Sequence, residues 1–154
     1  MQLISFTGFK EVGKTTAAET IADEVFHFAE PLYAIAKELG WNLVKDEKGR
    51  GFLRDLGKLV RSYNPLYLVD RMESNILISK DYNSPQLFVA DGLRFDNEAE
   101  MLKRHDAFIV EIVRPGYESD GDITEQGIDR KYIDLTISND GNVEEFQKKV
   151  RELV

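Results

Sequence analysis

Gly8-Phe9-Lys10-Glu11-Val12-Gly13-Lys14-Thr15 matches the spacing G-x-x-x-x-G-K-[ST], and each residue type has a chemical reason to stand where it does. The glycines let the backbone wrap closely, so that N–H groups along Gly8, Lys10, Glu11, Val12 and Gly13 turn inward on a phosphate. A helix that starts where the loop ends adds its positive N-terminal end. Lys14 is placed to reach β- and γ-phosphates, the Thr15 hydroxyl to ligate Mg²⁺, and Thr16 to donate to an α-phosphate oxygen. The chemistry implied is the binding of ATP with Mg²⁺.

A phosphate loop of this kind needs an acidic group near the metal. Leu87-Phe88-Val89-Ala90-Asp91 supplies one, four apolar residues followed by an aspartate. Ligands of open parallel sheets lie at the carboxyl ends of strands, which suits Asp91 as a metal ligand, direct or through water. The alternative is a turn or helix-capping aspartate. Arg94, three residues on, would stand above the same edge within reach of a phosphate, or pair with Asp96 or Glu98. Arg54, Lys58 and Arg61 are spaced to share one helix face. In an acidic chain such a stripe suggests an anion site, since arginine grips phosphate with two parallel hydrogen bonds. A solvated face is the other reading, and Arg61 is the member most expected to bind.

Leu3–Thr7 reads as a buried strand feeding the loop. Ala18, Ile21, Ala22 and Val25 fall on one face of the helix after it. Val25–Phe28 reads as a second strand. Pro31 opens a helix with Leu32, Ile35, Ala36 and Leu39 inward. Residues 42–51 read as a loop, and 52–63 as a helix with Phe52, Leu56, Leu59, Val60 and Tyr63 on its apolar side. Pro65 opens a fourth helix, and 82–85 form a turn. Leu87–Ala90 is a central strand. A helix over 97–105, strands at 107–113 and 132–137, and a terminal helix bearing Val143, Phe146, Val150 and Leu153 complete the chain. Residues 114–131 hold three glycines, a proline, many charges and little periodicity, the signature of a lid or binding loop. Alternating strands and helices predict an α/β fold with a parallel sheet covered on both faces.

The chain has 154 residues, a single domain's length, with 42% hydrophobic and 31% charged residues, a globular balance. Its formal net charge is −8, which argues against a nucleic-acid polymer as partner. There is no cysteine, so disulfides and thiolate metal sites are excluded. No apolar run approaches a membrane span, and no basic leader precedes the first strand, so a cytoplasmic location is expected. No N-K-x-D base-recognition tetrapeptide occurs. Asp46-Glu47-Lys48-Gly49 spells D-x-x-G without a strand before it, so a GTPase is disfavoured. A motor or helicase would need a longer chain.

Four segments carry a resemblance to the phage-type deoxynucleoside monophosphate kinases of the adenylate-kinase-like group. They are Gly8–Thr16; Phe28-Ala29-Glu30-Pro31-Leu32; Ala90–Glu100, similar to the family's D-x-R-F-x-N-E-A; and Asp134–Gly141. Val110–Pro115 resembles the strand and Arg-Pro that follow the third. The resemblance implies a three-layer P-loop fold with strand order 2-3-1-4-5, an acceptor-binding helical region over about 29–84, and a lid near 114–131. It implies transfer of the γ-phosphate of ATP to a deoxynucleoside monophosphate in a host cytoplasm if phage-encoded. Lys14 and Thr15 would serve ATP and Mg²⁺, Asp91 and Arg94 the catalytic edge. Glu30, where the family often has aspartate, would face the acceptor nucleoside.

Arg61, Arg94 or Arg54 are expected to hold the acceptor phosphate, and Trp41 either stacks on the base or packs the core. Arg114, Arg130 and Lys131 would close with the lid onto transferred charge. Asn139 follows the last strand, where such kinases pack against adenine, or forms a plain turn. His27 and His105 read as isolated structural residues. Small nucleotides are the expected partners, with a homodimer left open. A kinase for another small acceptor, such as dephospho-coenzyme A or a sugar acid, and a non-catalytic ATP-binding module are the competing classes.

Overall fold

β1 (Gln2–Thr7) is buried at every residue after Gln2, which a strand achieves only when covered on both faces and paired on both edges. In the computed structural model, which describes residues 1–81, 87–118 and 126–154, it pairs in parallel with β3 (Leu87–Asp91) on one side and β4 (Phe108–Val113) on the other. β2 (Glu24–His27) continues the sheet beyond β3, and β5 (Leu135–Ser138) beyond β4. All pairings are parallel and the order is β2-β3-β1-β4-β5, the order that the resemblance implies.

The pleat divides the core in two, because successive side chains point to opposite faces. Leu3, Phe88, Ala90 and Ile109 pack on one face beneath α4 (Tyr67–Asp81) and α5 (Asp96–Arg104). Ile4, Phe6, Val89, Val110 and Ile112 pack on the other beneath α1 (Lys14–Ile21) and α6 (Val143–Arg151). A third cluster of Leu32, Ala36, Leu56 and Leu68 joins α2 (Glu30–Glu38) and α3 (Glu47–Tyr63) to α4. This helical layer occupies the stretch where the acceptor region is expected. No helix among the described residues is long and apolar enough to cross a membrane.

Several local expectations are corrected. α3 begins at Glu47, not 52, because the Asp46 carboxylate caps it by accepting from Gly49 N–H at 2.8 Å. Its packed face runs through Gly49, Leu56 and Gly57, while Leu59 and Tyr63 are 66% and 93% exposed. Two glycines mark that face. They carry no hydrophobic signal, yet a Cβ on Gly49 would lie 2.0 Å from the Val44 carbonyl oxygen. Val25 belongs to β2, not to the helix before it, since the chain is already extended at Ala22. β5 starts at Leu135, and Arg130–Tyr132 forms a 3₁₀ turn whose Asp129 side chain accepts from Lys131 N–H at 2.9 Å. The turn expected at 82–85 and the centre of the expected lid, 119–125, lie outside the described residues.

Gly8 ends β1 at φ +132°, and a Cβ there would stand 2.3 Å from the Ile112 carbonyl oxygen of β4. That neighbour is backbone and cannot move aside. Gly8→Ala is therefore expected to cost on the order of 2–4 kcal/mol through strain and overpacking. Thermal unfolding should record a fall in Tm of roughly 4–16 °C for a domain of this size.

Candidate active site

The parallel sheet brings the C-terminal ends of all five strands to one edge. Gly8 leaves β1 there and the loop to Gly13 curls back to start α1. Gly8, Glu11 and Gly13 all have positive φ, at 132°, 66° and 114°. Such departures from the extended chain fold backbone N–H groups into an anion-binding concavity. Gly13 is hemmed in, since a Cβ there would meet Asn139 Nδ2 at 2.9 Å and Phe146 Cε1 at 3.0 Å. Asn139 Nδ2 donates to the Val12 carbonyl at 2.8 Å and Asn139 N–H to the Val113 carbonyl at 2.8 Å, tying the end of β5 to the loop. Arg114 donates to the Glu11 carbonyl at 3.4 Å and lies over the Tyr117 ring at 4.5 Å.

Lys14 divides two clefts. One, of about 310 Å³, is bounded by Gly13, Lys14, Thr15, Thr16, Arg114 and Asn139. The other, of about 200 Å³, is bounded by Gly8, Lys14, Arg94, Glu111 and Arg130. The ammonium of Lys14 donates to the carbonyls of Gly8 at 2.7 Å and Phe9 at 2.6 Å, which holds it over the loop. Arg130 faces Glu111 at 3.3 Å. Lys131 pairs with Asp129 at 3.8 Å and lines neither cleft; the charges of Tyr132 and then Asp129 raise its pKa.

The register of β2 against β3 sets His27 beside Asp91. His27 Nδ1–H donates to Asp91 Oδ2 at 3.0 Å, while Asp91 Oδ1 is buried with no hydrogen-bond partner among the described residues. The hydrogen bond to Asp91 raises the His27 pKa, against the opposing effect of burial. Burial alone would raise Asp91, but the hydrogen bond and charge of His27, the Gly92 N–H and Lys14 outweigh it, and its pKa lies below the ordinary value. The reading of His27 as isolated is thus corrected. Only the strand register could have shown the pair. His105 does hold a structural place, between Glu73 at 2.8 Å and Lys80 at 3.2 Å.

A second member, foreseen only as a possible ion-pair partner of Arg94, is Glu98, 1% exposed near the start of α5. Its Oε2 accepts from Arg94 N–H at 2.9 Å and Phe95 N–H at 3.2 Å, and its Oε1 faces Arg61 Nη2 at 3.3 Å. Burial pushes the Glu98 pKa up, against the opposing effects of Arg94 N–H and Arg61. A glutamate three residues after the helix boundary was the available capping signal. Of the basic stripe, Arg61 reaches Glu98 beside the start of α5 but lines neither cleft, while Arg54 and Lys58 are exposed along α3. Glu30 is exposed at the start of α2, close enough for its charge to raise the His27 pKa. Trp41 packs on Tyr33 at 5.7 Å between ring centroids, donates to the Val44 carbonyl at 3.2 Å, and lines neither cleft.

Residues 52–150 match the family model described as deoxynucleotide monophosphate kinase. The protein of that name from Enterobacteria phage T4 is 30% identical over 94 residues, 60% of this chain and 39% of that protein. Its counterpart from Escherichia phage RB69 is 30% identical over 99 residues, 62% of this chain and 39% of that protein. The matched region is therefore well under half the length of these two relatives. A protein of Acanthamoeba polyphaga mimivirus, provisionally named for the same activity, is 28% identical across 97% of this chain and 94% of its own length. Among solved structures, dephospho-CoA kinase from Campylobacter jejuni is similar with a TM-score of 0.60 at 14% identity, covering 99% of this chain and 96% of that one. A tunicamycin resistance protein from Deinococcus radiodurans is similar at 0.52 and 12%, covering 99% and 94%. At such identities the likeness is one of fold.

The His27–Asp91 contact has a signature in the metal-free protein. A raised histidine pKa contributes stability that is fully present below the ordinary 6.5 and is lost as pH rises through the folded value. A lowered aspartate pKa contributes stability present above the ordinary 3.8 and lost as pH falls through the folded value. The pair thus contributes most between those two ordinary values. Titration of the His27 ring by NMR should give a midpoint above 6.5, and Asp91→Asn should move it down. An unchanged midpoint in that variant would refute the pairing.

Proposed function

The chain belongs to the deoxynucleotide monophosphate kinase family, and on that premise we propose that it transfers the γ-phosphate of ATP to a deoxynucleoside monophosphate. The observation that carries this reading is the position of Lys14 between two clefts, a phosphate cradle on one side and an arginine-bearing cleft on the other. ATP lies in the first cleft, with its β- and γ-phosphates on the loop N–H groups and Lys14, and its base toward Asn139 and Arg114. The acceptor phosphate approaches from the side of Arg94. One of its oxygens forms the new bond to the γ-phosphorus while the bond from that phosphorus to the β–γ bridging oxygen breaks, releasing ADP. The attacking oxygen is already anionic near neutral pH, so no strong general base is needed. Catalysis comes from alignment and charge neutralisation.

Thr15 and Asp91 would hold Mg²⁺. The orphaned buried Oδ1 of Asp91 fits that assignment, because a buried carboxylate oxygen without a donor needs a cation or water. Among the described residues no group of three or more His, Asp or Glu side chains is placed to hold a metal ion. When bound, Mg²⁺ supplies neutralisation of the charge on the β- and γ-oxygens. His27 orients the Asp91 carboxylate by occupying Oδ2. Arg114 bounds the ATP cleft and Arg130 the acceptor cleft, so the two serve different substrates.

ADP release from Mg-ATP, measured with each deoxynucleoside and ribonucleoside monophosphate in turn, tests the function. Release should depend on particular deoxynucleotides, and Lys14→Ala should lower it by roughly 10²-fold or more. Release only with dephospho-coenzyme A or a sugar acid would move the acceptor assignment there. ATP binding with no acceptor-dependent release would leave a binding module. The two arginines should separate kinetically, Arg114→Ala raising the KM for ATP and Arg130→Ala that for the acceptor, each by about 10–150-fold if one charged hydrogen bond is lost. Equal effects on both substrates would reject the division.

A further inference from the structure

We propose that Glu98 is the positioning residue that locks the acceptor-side arginine, Arg61, to the catalytic edge, so that Arg61 and Arg94 meet one acceptor phosphate as a fixed pair. The inference deepens the kinase reading and rests on it for the identity of the anion.

Arg61 and Arg94 reach this edge from different parts of the chain. Arg61 stands in the last turn of α3, within the helical layer, and Arg94 lies in the loop between β3 and α5. One carboxylate bridges them. Oε2 of Glu98 accepts the backbone N–H groups of Arg94 and Phe95, and Oε1 accepts from Arg61. Its three partners among the described residues are all donors, an arrangement suited to the carboxylate anion. The Arg61 guanidinium also lies 4.5 Å from the centre of the Phe95 ring, which adds a cation–π contact.

Space for this arrangement is built into α3. Gly57 is buried one turn before Arg61, and a Cβ there would stand 3.0 Å from Arg61 Nη1 and 3.2 Å from Leu32 Cδ1. Its missing side chain lets the guanidinium lie back along the helix while α2 packs closely. A guanidinium has five N–H donors, and Arg61 remains 24% exposed with one of them on Glu98. Glu98 therefore fixes the arginine without consuming its capacity for a phosphate. A purely structural Glu98 would need only its two backbone bonds.

Glu98→Gln separates the two roles. Its amide oxygen can still accept from Arg94 and Phe95, while the charge that holds Arg61 is lost. With the deoxynucleoside monophosphate that gives the fastest turnover, this variant should raise the acceptor KM about tenfold and leave the KM for ATP within about twofold. Arg61→Ala should do the same, and the double variant should be no worse than Arg61→Ala alone. Phe95→Leu keeps both charges and should raise the acceptor KM about threefold, which covers the case in which Glu98→Gln does not fold. An acceptor KM unchanged in either folded variant, or additive effects in the double variant, would overturn the proposal.

The Arg61 Nη2–H resonance gives a readout independent of turnover. It should be protected from exchange in the unaltered protein and lose protection in Glu98→Gln, or in Phe95→Leu if the former does not fold. Equal protection would also overturn the lock. If no monophosphate is phosphorylated, the kinase reading fails on the acceptor panel while this resonance still decides whether Glu98 positions Arg61.

Discussion

β1 is hydrogen-bonded along both edges and covered on both faces, and the rest of the molecule is arranged around that requirement. A buried strand must satisfy its backbone groups with strand partners, and parallel partners need crossovers that lay helices over the sheet. Every strand then runs the same way. Gly8, His27, Asp91, Val113 and Ser138 come to one edge, where α1 also begins. The close approach of Gly8 to the Ile112 carbonyl follows from the same packing. The phosphate loop is strained because it turns a central strand into a helix within a few residues, beside a neighbouring strand that cannot give way.

Charge at this edge is arranged in pairs that leave specific atoms for a ligand. His27 takes one oxygen of Asp91, and the other has no hydrogen-bond partner among the described residues. Lys14 rests on two loop carbonyls, which keep the ammonium over the loop. Asn139 uses its amide to hold the loop from outside. Each contact has low reach and high directionality, so the edge is ordered before any nucleotide arrives. Such preorganisation is what phosphoryl transfer demands, since its barrier is lowered mainly by alignment and fixed charge.

The helical layer is the less rigidly joined part. α2 and α3 form a satellite core with Leu68 of α4, and polar contacts join that layer to α5. Arg61–Glu98 is the most buried of them. Asn97 Nδ2 also donates to the Pro65 carbonyl at 3.1 Å and links the α3–α4 connection to α5. A layer coupled this way can present its own binding surface while one ion pair keeps its arginine in register with the strand ends. The third segment of the family resemblance, Ala90–Glu100, contains this junction as well as Asp91, so one short stretch holds Asp91, Arg94 and the joint between layers.

The phosphate loop, the strand ending at Asp91 and the alternation of strands and helices were legible in the residues themselves, because they are local, whereas the strand order came only with the family resemblance. A glycine at a turn, an apolar run before an aspartate and a helical repeat each declare themselves within a few positions. α3 was only partly legible, since its packed face is marked by Gly49 and Gly57, and glycine carries no hydrophobic signal. The His27–Asp91 contact spans 64 residues and the Arg61–Glu98 contact 37. Both depend on which strand pairs with which and at what register, and on how a helix crosses a sheet. Lys14 as the wall between two clefts was likewise decided by tertiary structure. Local spacing selects the chemistry, whereas the partners that orient it are chosen by packing, whose distances sequence separation does not encode.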